Sequence, residues 1–401
     1  MSGCLRRTLA VVLTVFLSAL LLGLAACGNK TSSSSGNNSG TNGTDNGSGT
    51  NGGSSSGSGN GGGTSGGGSG SGQAAATYLY VANAGPDNNY FTESSTPETI
   101  SILKVDPNTS QMTRVGGYGD ESKWIANQIL VAGQWVLASR GTGAAFSEMK
   151  IDSSTGELSD QKDLTTGQLF TVSPDGKFVV LLENGNFTSY SIDQSSGALT
   201  KVSSTAETCS AVPVVSQWDP TGQYFAPLNC DGTVVKVSST GQISANATNA
   251  DQLDASAQPV GFNTSGTHFI AVKKVDQGGQ VLIYDFDPNT GSLTFSGNGP
   301  SFGDGTSYAI GGDYLYVRGG TGTIYKMGGT PFGVTDTGQT FNAVSGWSQP
   351  FIVDLQSNTA FIVQPQSNQV SSLRVGSDGG LKLVDSKPTG TAPWVMAVAH
   401  F

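Results

Sequence analysis

A repeat with a period near 46 residues constrains this sequence more than any other feature. Each copy begins with a short run of aromatic and β-branched residues, the composition of a β-strand. A period of this length is that of a four-stranded propeller blade. The sequence therefore predicts an all-β fold, a seven-bladed β-propeller of four-stranded antiparallel blades. The seven runs begin at Tyr78, Trp135, Phe178, Tyr224, His268, Tyr314 and Ala360.

In several copies a polar turn follows the next strand after the opening run. An Asp opens four of these turns, and its side chain can accept hydrogen bonds from backbone N–H groups two or three residues on. A Gly later in most of these turns can take the left-handed conformation that such hairpins need. We therefore expect these carboxylates to form turns rather than to bind a metal. The four are Asp106, Asp152, Asp193 and Asp287.

The last ten residues, Ala392–Phe401, form one more apolar strand with no following partner. The first copy, from Tyr78, has only three strands because little but the linker precedes it. One unpaired strand and one incomplete blade predict that the C-terminal strand closes the ring as the innermost strand of the first blade. This arrangement would place Trp394 at one face of the propeller and His400 at the other.

The N-terminal region indicates export. Arg6 and Arg7 precede an apolar run that is too short and too close to the N-terminus to favour a spanning helix. The run ends in Leu24-Ala25-Ala26-Cys27, which resembles the lipobox of bacterial lipoproteins, so Cys27 would be the lipidated first residue. We predict three segments: a signal peptide over 1–26, a lipidated Cys and disordered Gly/Ser/Asn/Thr linker over 27–76, and the propeller over 77–401.

Charge limits the class of partner. The formal net charge is −10, and removal of residues 1–26 with their two arginines leaves −12. No run of Lys or Arg is present, which argues against a nucleic-acid partner.

We expect a monomer that is attached to the membrane through Cys27 in the cell envelope, periplasmic or surface-exposed, with the outer membrane favoured if there are two membranes.

The repeats resemble the lactonase-like seven-bladed propellers, which include the propeller-type 6-phosphogluconolactonases. The resemblance rests on Tyr78–Ala84, on Thr99–Ile102 and on the Asp-x-x-Thr-Gly-x-Leu turns. Active members carry a Pro-Arg-His run at the start of one innermost strand and a Glu at the end of the following strand. The aligned segments here are Gln258–Gly261, without Arg or His, and Lys273-Lys274, without Glu. The family's catalytic set therefore does not carry over, and we predict no catalytic residues.

Strand polarity nevertheless predicts a ligand-binding face. Innermost strands begin, and second strands end, on the same face of a propeller, where ligands are commonly bound. An insertion over 85–98 would overhang this face as a recognition loop or as a tolerated surface segment. An ordinary solvated rim is the competing interpretation for each side chain. The predicted ligand-binding residues are Trp124, Arg140, Glu183, Asp231, Lys273, Arg318 and Trp394.

The cysteines and histidines offer little catalytic chemistry. Cys209 and Cys230 should lie at the same face of one blade, and outside the cytoplasm such a pair usually forms a disulfide. A reactive thiol is the alternative. His268 and His400 should lie on the face opposite the predicted ligand site. The sequence has no metal-spaced His/Cys cluster and no phosphate-binding Gly loop, so we predict no metal and no cofactor.

The leading interpretation is a lipid-anchored extracytoplasmic propeller that acts as a binding or scaffold module for a small molecule, a glycan or a protein. The alternative is a lactonase-like hydrolase that acts on a sugar lactone with an altered active site. The two interpretations are distinguished by whether the protein hydrolyses a lactone.

Overall fold

The computed structural model describes residues 76–85, 98–120, 126–140, 145–164, 167–206, 216–227, 233–246, 257–275, 278–303, 305, 307–319, 321–342 and 351–401. These residues form seven four-stranded antiparallel sheets in a ring, with a single 3-10 turn at Pro365–Ser367. This confirms the predicted seven-bladed β-propeller. No apolar helix of bilayer-spanning length occurs in this part of the chain.

The strands run in chain order from the innermost to the outermost position of each blade, except in blade 1. Blade 1 begins with β1 (Thr77–Asn83), β2 (Ile100–Val105) and β3 (Met112–Tyr118). Blade 2 comprises β4 (Ala126–Ala132), β5 (Trp135–Arg140), β6 (Phe146–Ile151) and β7 (Leu158–Leu164). Blade 3 comprises β8 (Gln168–Val172), β9 (Phe178–Glu183), β10 (Asn186–Ile192) and β11 (Leu199–Ala206). Blade 4 comprises β12 (Ser216–Trp218), β13 (Tyr224–Pro227), β14 (Val234–Val237) and β15 (Ile243–Asn246).

The remaining blades follow the same order. Blade 5 comprises β16 (Ala257–Phe262), β17 (His268–Val275), β18 (Gly278–Asp287) and β19 (Ser292–Phe302). Blade 6 comprises β20 (Ser307–Gly311), β21 (Tyr314–Arg318), β22 (Gly322–Gly328) and β23 (Gly333–Phe341). Blade 7 comprises β24 (Phe351–Asp354), β25 (Thr359–Gln364), β26 (Gln369–Val375) and β27 (Leu381–Pro388). The last strand, β28 (Pro393–His400), is the innermost strand of blade 1.

The C-terminal strand closes the ring as predicted. β28 pairs antiparallel with β1, and Leu79 lies opposite Val398. Beyond the strand ends, the backbone N–H of Ala76 donates to the carbonyl of Phe401 at 2.6 Å, and the Phe401 N–H donates back to Ala76 at 2.9 Å. Blade 1 is therefore made from both ends of the propeller sequence.

The hydrophobic core is divided into seven clusters, one at each boundary between neighbouring blades. The cluster between blades 7 and 1, for example, joins Phe361 of β25 to Leu79 of β1 and Met396 of β28. The inner strands therefore bury side chains on both faces of the blade, which explains why β28 is apolar on both sides, whereas outermost strands such as β7 are largely exposed. Because each cluster lies between two blades, a blade depends on its neighbours to complete its core.

A recurring aromatic contact sets the spacing of the blades. A residue at the start of a second strand, which is the second residue of β1 and the first residue in the other blades, packs against the outer hairpin of the next blade. In blade 1 the Tyr78 hydroxyl donates to the carbonyl of Ser154 at 2.6 Å, and a Cβ on Gly156 would lie 2.3 Å from Tyr78 Cδ1. Between blades 7 and 1 the equivalent position is Thr359, one residue before the predicted start of that copy, and its hydroxyl lies 2.8 Å from that of Ser110. The aromatic pairs are Tyr78–Gly156, Trp135–Gly197, Phe178–Gly241, Tyr224–Gly291 and Tyr314–Gly379.

The four Asp residues form turns as predicted. The Asp193 carboxylate accepts hydrogen bonds from the Ser195 N–H at 3.0 Å and the Ser196 N–H at 2.8 Å. Hydrogen bonds from Ser195 and Ser196 lower the pKa of Asp193 to about 2. Turn hydrogen bonds likewise lower the pKa values of Asp106, Asp152 and Asp287.

Several predictions fall outside the described residues. These are the signal peptide, Cys27 and the linker up to residue 75, the insertion over 86–97, and the cysteine pair Cys209 and Cys230. The lipid anchor and the disulfide remain predictions.

Candidate functional site

The structure assigns four of the seven predicted ligand-binding residues to one face by strand polarity. We call it the channel-entry face, defined as the face where the innermost strands begin and the second strands end. Lys273 pairs with Ala257 at the start of β16, and Arg318 pairs with Ser307 at the start of β20. Glu183 ends β9, and Trp394 is the second residue of β28. These four residues therefore share one face, on four different blades.

The Glu183 carboxylate is engaged within its own blade. Its Oε1 accepts a hydrogen bond from the Tyr190 hydroxyl at 2.8 Å, and its Oε2 lies 4.0 Å from Lys201 Nζ. Burial and this bond raise the pKa of Tyr190 to about 12, so the phenol stays protonated and keeps donating. Only 12 % of the Glu183 side chain is exposed. Glu183 is thus a positioned acceptor rather than a free base.

The two cations differ sharply in exposure. Lys273 is half-buried, whereas Arg318 is buried, with 2 % of its surface exposed. Burial lowers the pKa of the Arg318 guanidinium. Arg318 therefore lies beneath the rim and is not an exposed rim side chain.

Trp394 is exposed beside the base of the insertion. Its neighbour Pro393 pairs with Asn83 at the end of β1, and the Ala84 N–H donates to the carbonyl of Ala392 at 3.0 Å. The chain enters the insertion directly after this contact. Trp394 has 38 % of its surface exposed, in contrast to Trp135 with 4 %. An aromatic surface at the channel-entry face therefore adjoins the point where the insertion begins.

A buried polar cluster secures the other end of the insertion. Glu98 forms an ion pair with Arg114 and accepts a hydrogen bond from the Ser101 hydroxyl at 2.6 Å. The Asn83 amide donates to the Glu98 carbonyl at 2.8 Å and to the Ser101 hydroxyl at 3.1 Å. Sequence reasoning missed this cluster, although Glu98 and Arg114 are opposite charges on neighbouring segments of one blade. Both ends of the insertion are thereby fixed to blade 1.

The remaining predicted positions cannot be placed in the site. Trp124 and Asp231 lie outside the described residues, and for Arg140 the structure describes the backbone of β5 only.

Both histidines lie on the opposite face as predicted, since His268 begins β17 and His400 ends β28. Among the described residues, no three His, Cys, Asp or Glu side chains are grouped so as to hold a metal ion.

Comparison with known proteins identifies the fold. No protein-family model matches the chain, and no curated protein matches its sequence. Solved structures match over most of the chain. A candidate 6-phosphogluconolactonase from Bacteroides fragilis is 15% identical, with a TM-score of 0.61, and the match covers 82% of this chain and 98% of that one.

Two further structures give the same picture. A candidate 6-phosphogluconolactonase from Bacteroides uniformis is 13% identical with a TM-score of 0.60, covering 82% of this chain and 100% of its own. The periplasmic gluconolactonase of Pseudomonas aeruginosa is 15% identical with a TM-score of 0.59, covering 81% and 99%. At these identities the likeness concerns the fold. The chain has the fold of the lactonase-like seven-bladed β-propellers.

Proposed function

We propose that this chain is a lipid-anchored, extracytoplasmic propeller that binds a small polar organic ligand, a sugar or an organic acid, at its channel-entry face. The observation that carries the proposal is the exposed Trp394 at the base of the insertion. A large aromatic side chain that is exposed to water is a common element of a binding site, because it offers apolar area at little conformational cost.

Other groups on the same face suit a ligand with hydroxyl or carboxylate groups. Glu183 offers an acceptor that is already oriented by Tyr190, and Lys273 offers a half-buried cation on the same face. Fixed groups of positive and negative charge favour a polar ligand, held in one orientation, over an apolar ligand.

The location rests on the sequence of the first 27 residues together with a fold shared with a periplasmic gluconolactonase. Lipidation of Cys27 is tested by fractionation. The Cys27→Ser variant should move from the membrane fraction to the soluble fraction, and equal membrane association of both proteins would contradict the anchor.

The binding site is tested by titrating the full-length chain with gluconate and with glucose while following tryptophan fluorescence. We expect the Trp394→Ala variant to lose at least tenfold in affinity, or about 1.4 kcal/mol. Phe295→Ala is the matched control, because Phe295 is also an exposed aromatic residue but lies on an outermost strand. Unchanged affinity in Trp394→Ala would refute the site, and failure of both probes to bind would exclude this ligand class.

The second candidate is a lactone hydrolase, which the fold of the solved structures favours. Glucono-1,5-lactone hydrolysis above the uncatalysed rate, lost in Glu183→Gln with folding intact, would establish it. Binding of gluconate without turnover of the lactone would leave the binding module as the function.

A further inference from the structure

The boundary between blades 5 and 6 departs from the pattern that five of the other boundaries share. His268 occupies the position that an aromatic residue takes in five other blades, where the ring packs on a hairpin glycine. Here the imidazole stacks instead on Phe332 of the β22–β23 hairpin, with ring centroids 3.8 Å apart and an interplanar angle of 9°. The hairpin itself carries Gly328-Gly329-Thr330-Pro331 before Phe332.

A groove opens where the repeat is interrupted. It has a volume of about 560 Å³, within the range of small-molecule sites. It lies on the face opposite the channel entry, because the β16–β17, β20–β21 and β22–β23 turns all meet there. The lining residues that determine its chemistry are Thr264, His268, Asp313, Met327, Thr330 and Phe332.

The lining chemistry combines hydroxyl groups, one carboxylate and an apolar wall. Thr264, Thr330 and Asp313 are exposed to solvent. The Thr264 hydroxyl donates to Asp313 Oδ1 at 3.3 Å, a long bond that a ligand hydroxyl can replace. Phe332 and Met327 supply the apolar surface. A carboxylate that accepts from hydroxyl donors makes hydrogen bonds about twice as strong as neutral ones.

The His268 imidazole lines the groove and is fixed in place by polar contacts. Its Nε2 lies 3.2 Å from Asp285 Oδ1, and its Nδ1 lies 2.9 Å from the Thr267 hydroxyl. Burial lowers the pKa of His268, against the opposing effect of Asp285. No Lys or Arg is among the lining residues, and Asp313 is negative. The groove therefore disfavours phosphate and carboxylate groups.

We propose that this groove is a second binding site, on the face opposite the channel entry, and that it takes a neutral carbohydrate. Asp313 and the hydroxyl groups of Thr264 and Thr330 would bind sugar hydroxyls, while Phe332 and Met327 would cover the apolar face of the sugar. The site is independent of Trp394, which lies at the other end of the innermost strands.

The test is a calorimetric titration of the full-length chain with maltose and N,N′-diacetylchitobiose, with gluconate and spermidine as anionic and cationic comparators. In the Trp394→Ala variant, which lacks the proposed channel-entry site, we expect at least one neutral saccharide to bind more tightly than both charged probes. Asp313→Asn should weaken that binding at least tenfold, and Thr264→Trp, which fills the groove from an exposed turn, should abolish it.

Two controls separate the groove from other effects. Asp378→Asn alters an exposed carboxylate in the blade 7 hairpin on the same face and should leave affinity within twofold. Trp394→Ala should also leave it unchanged, which distinguishes this site from the channel-entry site. The proposal is overturned if neither saccharide binds, if Thr264→Trp retains binding with an unaltered melting temperature, or if gluconate or spermidine binds the Trp394→Ala variant more tightly than either saccharide does.

Discussion

The imidazole Nε2 of His400 lies 3.1 Å from Oδ1 of Asp354, so the last strand is bonded to the innermost strand of blade 7. The other ring nitrogen of His400 lies 3.1 Å from the Thr77 hydroxyl, on the first strand. One side chain thus joins β28 to β1 within its own blade and to β24 in the neighbouring blade. Asp354 is further held by hydrogen bonds from Ser357.

Replacing His400 with Ala should destabilise the ring. The change leaves the partly buried Asp354 carboxylate without one hydrogen-bond donor, and hydrogen bonds to charged groups contribute roughly 1.5–3 kcal/mol. Urea denaturation measures the loss in unfolding free energy. Lys177→Ala breaks an exposed ion pair with Asp175 and should change stability by under about 1 kcal/mol. Equal effects of the two substitutions would show that the His400 contact adds nothing to closure.

Asp354 should make the closure sensitive to acid. Burial alone would raise the pKa of Asp354, but hydrogen bonds from His400 and Ser357 outweigh it and lower the pKa. A carboxyl group with a lowered pKa stabilises the fold fully above its unfolded-state value of about 3.9, and that contribution is lost as the pH falls through the folded-state value. Thermal melts between neutral pH and about pH 3 should show a shallower acid-induced decline for Asp354→Asn. A parallel decline would contradict the assignment.

Glu148 should weaken the fold as the pH rises. It is fully buried on β6, and neither carboxyl oxygen has a hydrogen-bond partner in the described part of the chain. Burial raises the pKa of Glu148 from 4.5 to about 7, and the positive charge of Lys162 partly opposes this rise. As the pH rises, the unfolded chain loses this proton at a lower pH than the folded chain does. The free energy of unfolding therefore falls between pH 4.5 and about 7, by about 3 kcal/mol in all.

The same side chain faces the Gly197 hairpin of blade 3, where Cβ on residue 197 would lie 1.6 Å from Glu148 Oε1. Ser189 and Ser372, at equivalent positions, donate to the carbonyls of Gly241 and Ser110, both at 2.6 Å. We expect protonated Glu148 to donate similarly, and Glu148→Gln to remove the slope between pH 4.5 and 7. The exposed Glu157→Gln is the control. A slope that persists in Glu148→Gln would refute this role.

The aromatic contact between blades can be isolated with two glycines. Gly156 has φ of 78° and would bring a Cβ 2.3 Å from Tyr78, while Gly185 has φ of 75° and open space around it. Both Ala substitutions incur left-handed strain of roughly 1–2 kcal/mol. Gly156→Ala should cost about 1–3 kcal/mol more because Tyr78 must move. Equal losses in chemical denaturation would mean that the contact is unimportant.

Deleting residues 393–401 should prevent cooperative folding. The deletion removes β28, uncovers β1 and opens two interblade clusters that contain Met396 and Ala399. Each large apolar side chain withdrawn from burial costs roughly 1.5–3 kcal/mol, against a total stability of about 5–15 kcal/mol. Loss of a sharp thermal transition is the expected result. A truncated protein that melts like the full chain would refute closure by β28.

The fold was predictable because its signals are local and repeated. Strand composition, turn-forming Asp residues such as Asp193 and an unpaired last strand specify a closed ring without any knowledge of long-range contacts. The burial of Arg318 and the isolation of Glu148 were not predictable, because they depend on which side chains the neighbouring blade presents. The groove had one sequence signal, the histidine at position 268 among aromatic residues at equivalent positions, but its significance depends on the stacking with Phe332.

The pairing of β1 with β28 also fixes an order of events during synthesis. Thr77 and His400 are 323 residues apart, so blade 1 has no innermost strand until almost the whole propeller has left the ribosome. Closing so long a loop is entropically costly and slows folding. This delay keeps the nascent propeller open until its synthesis is almost complete.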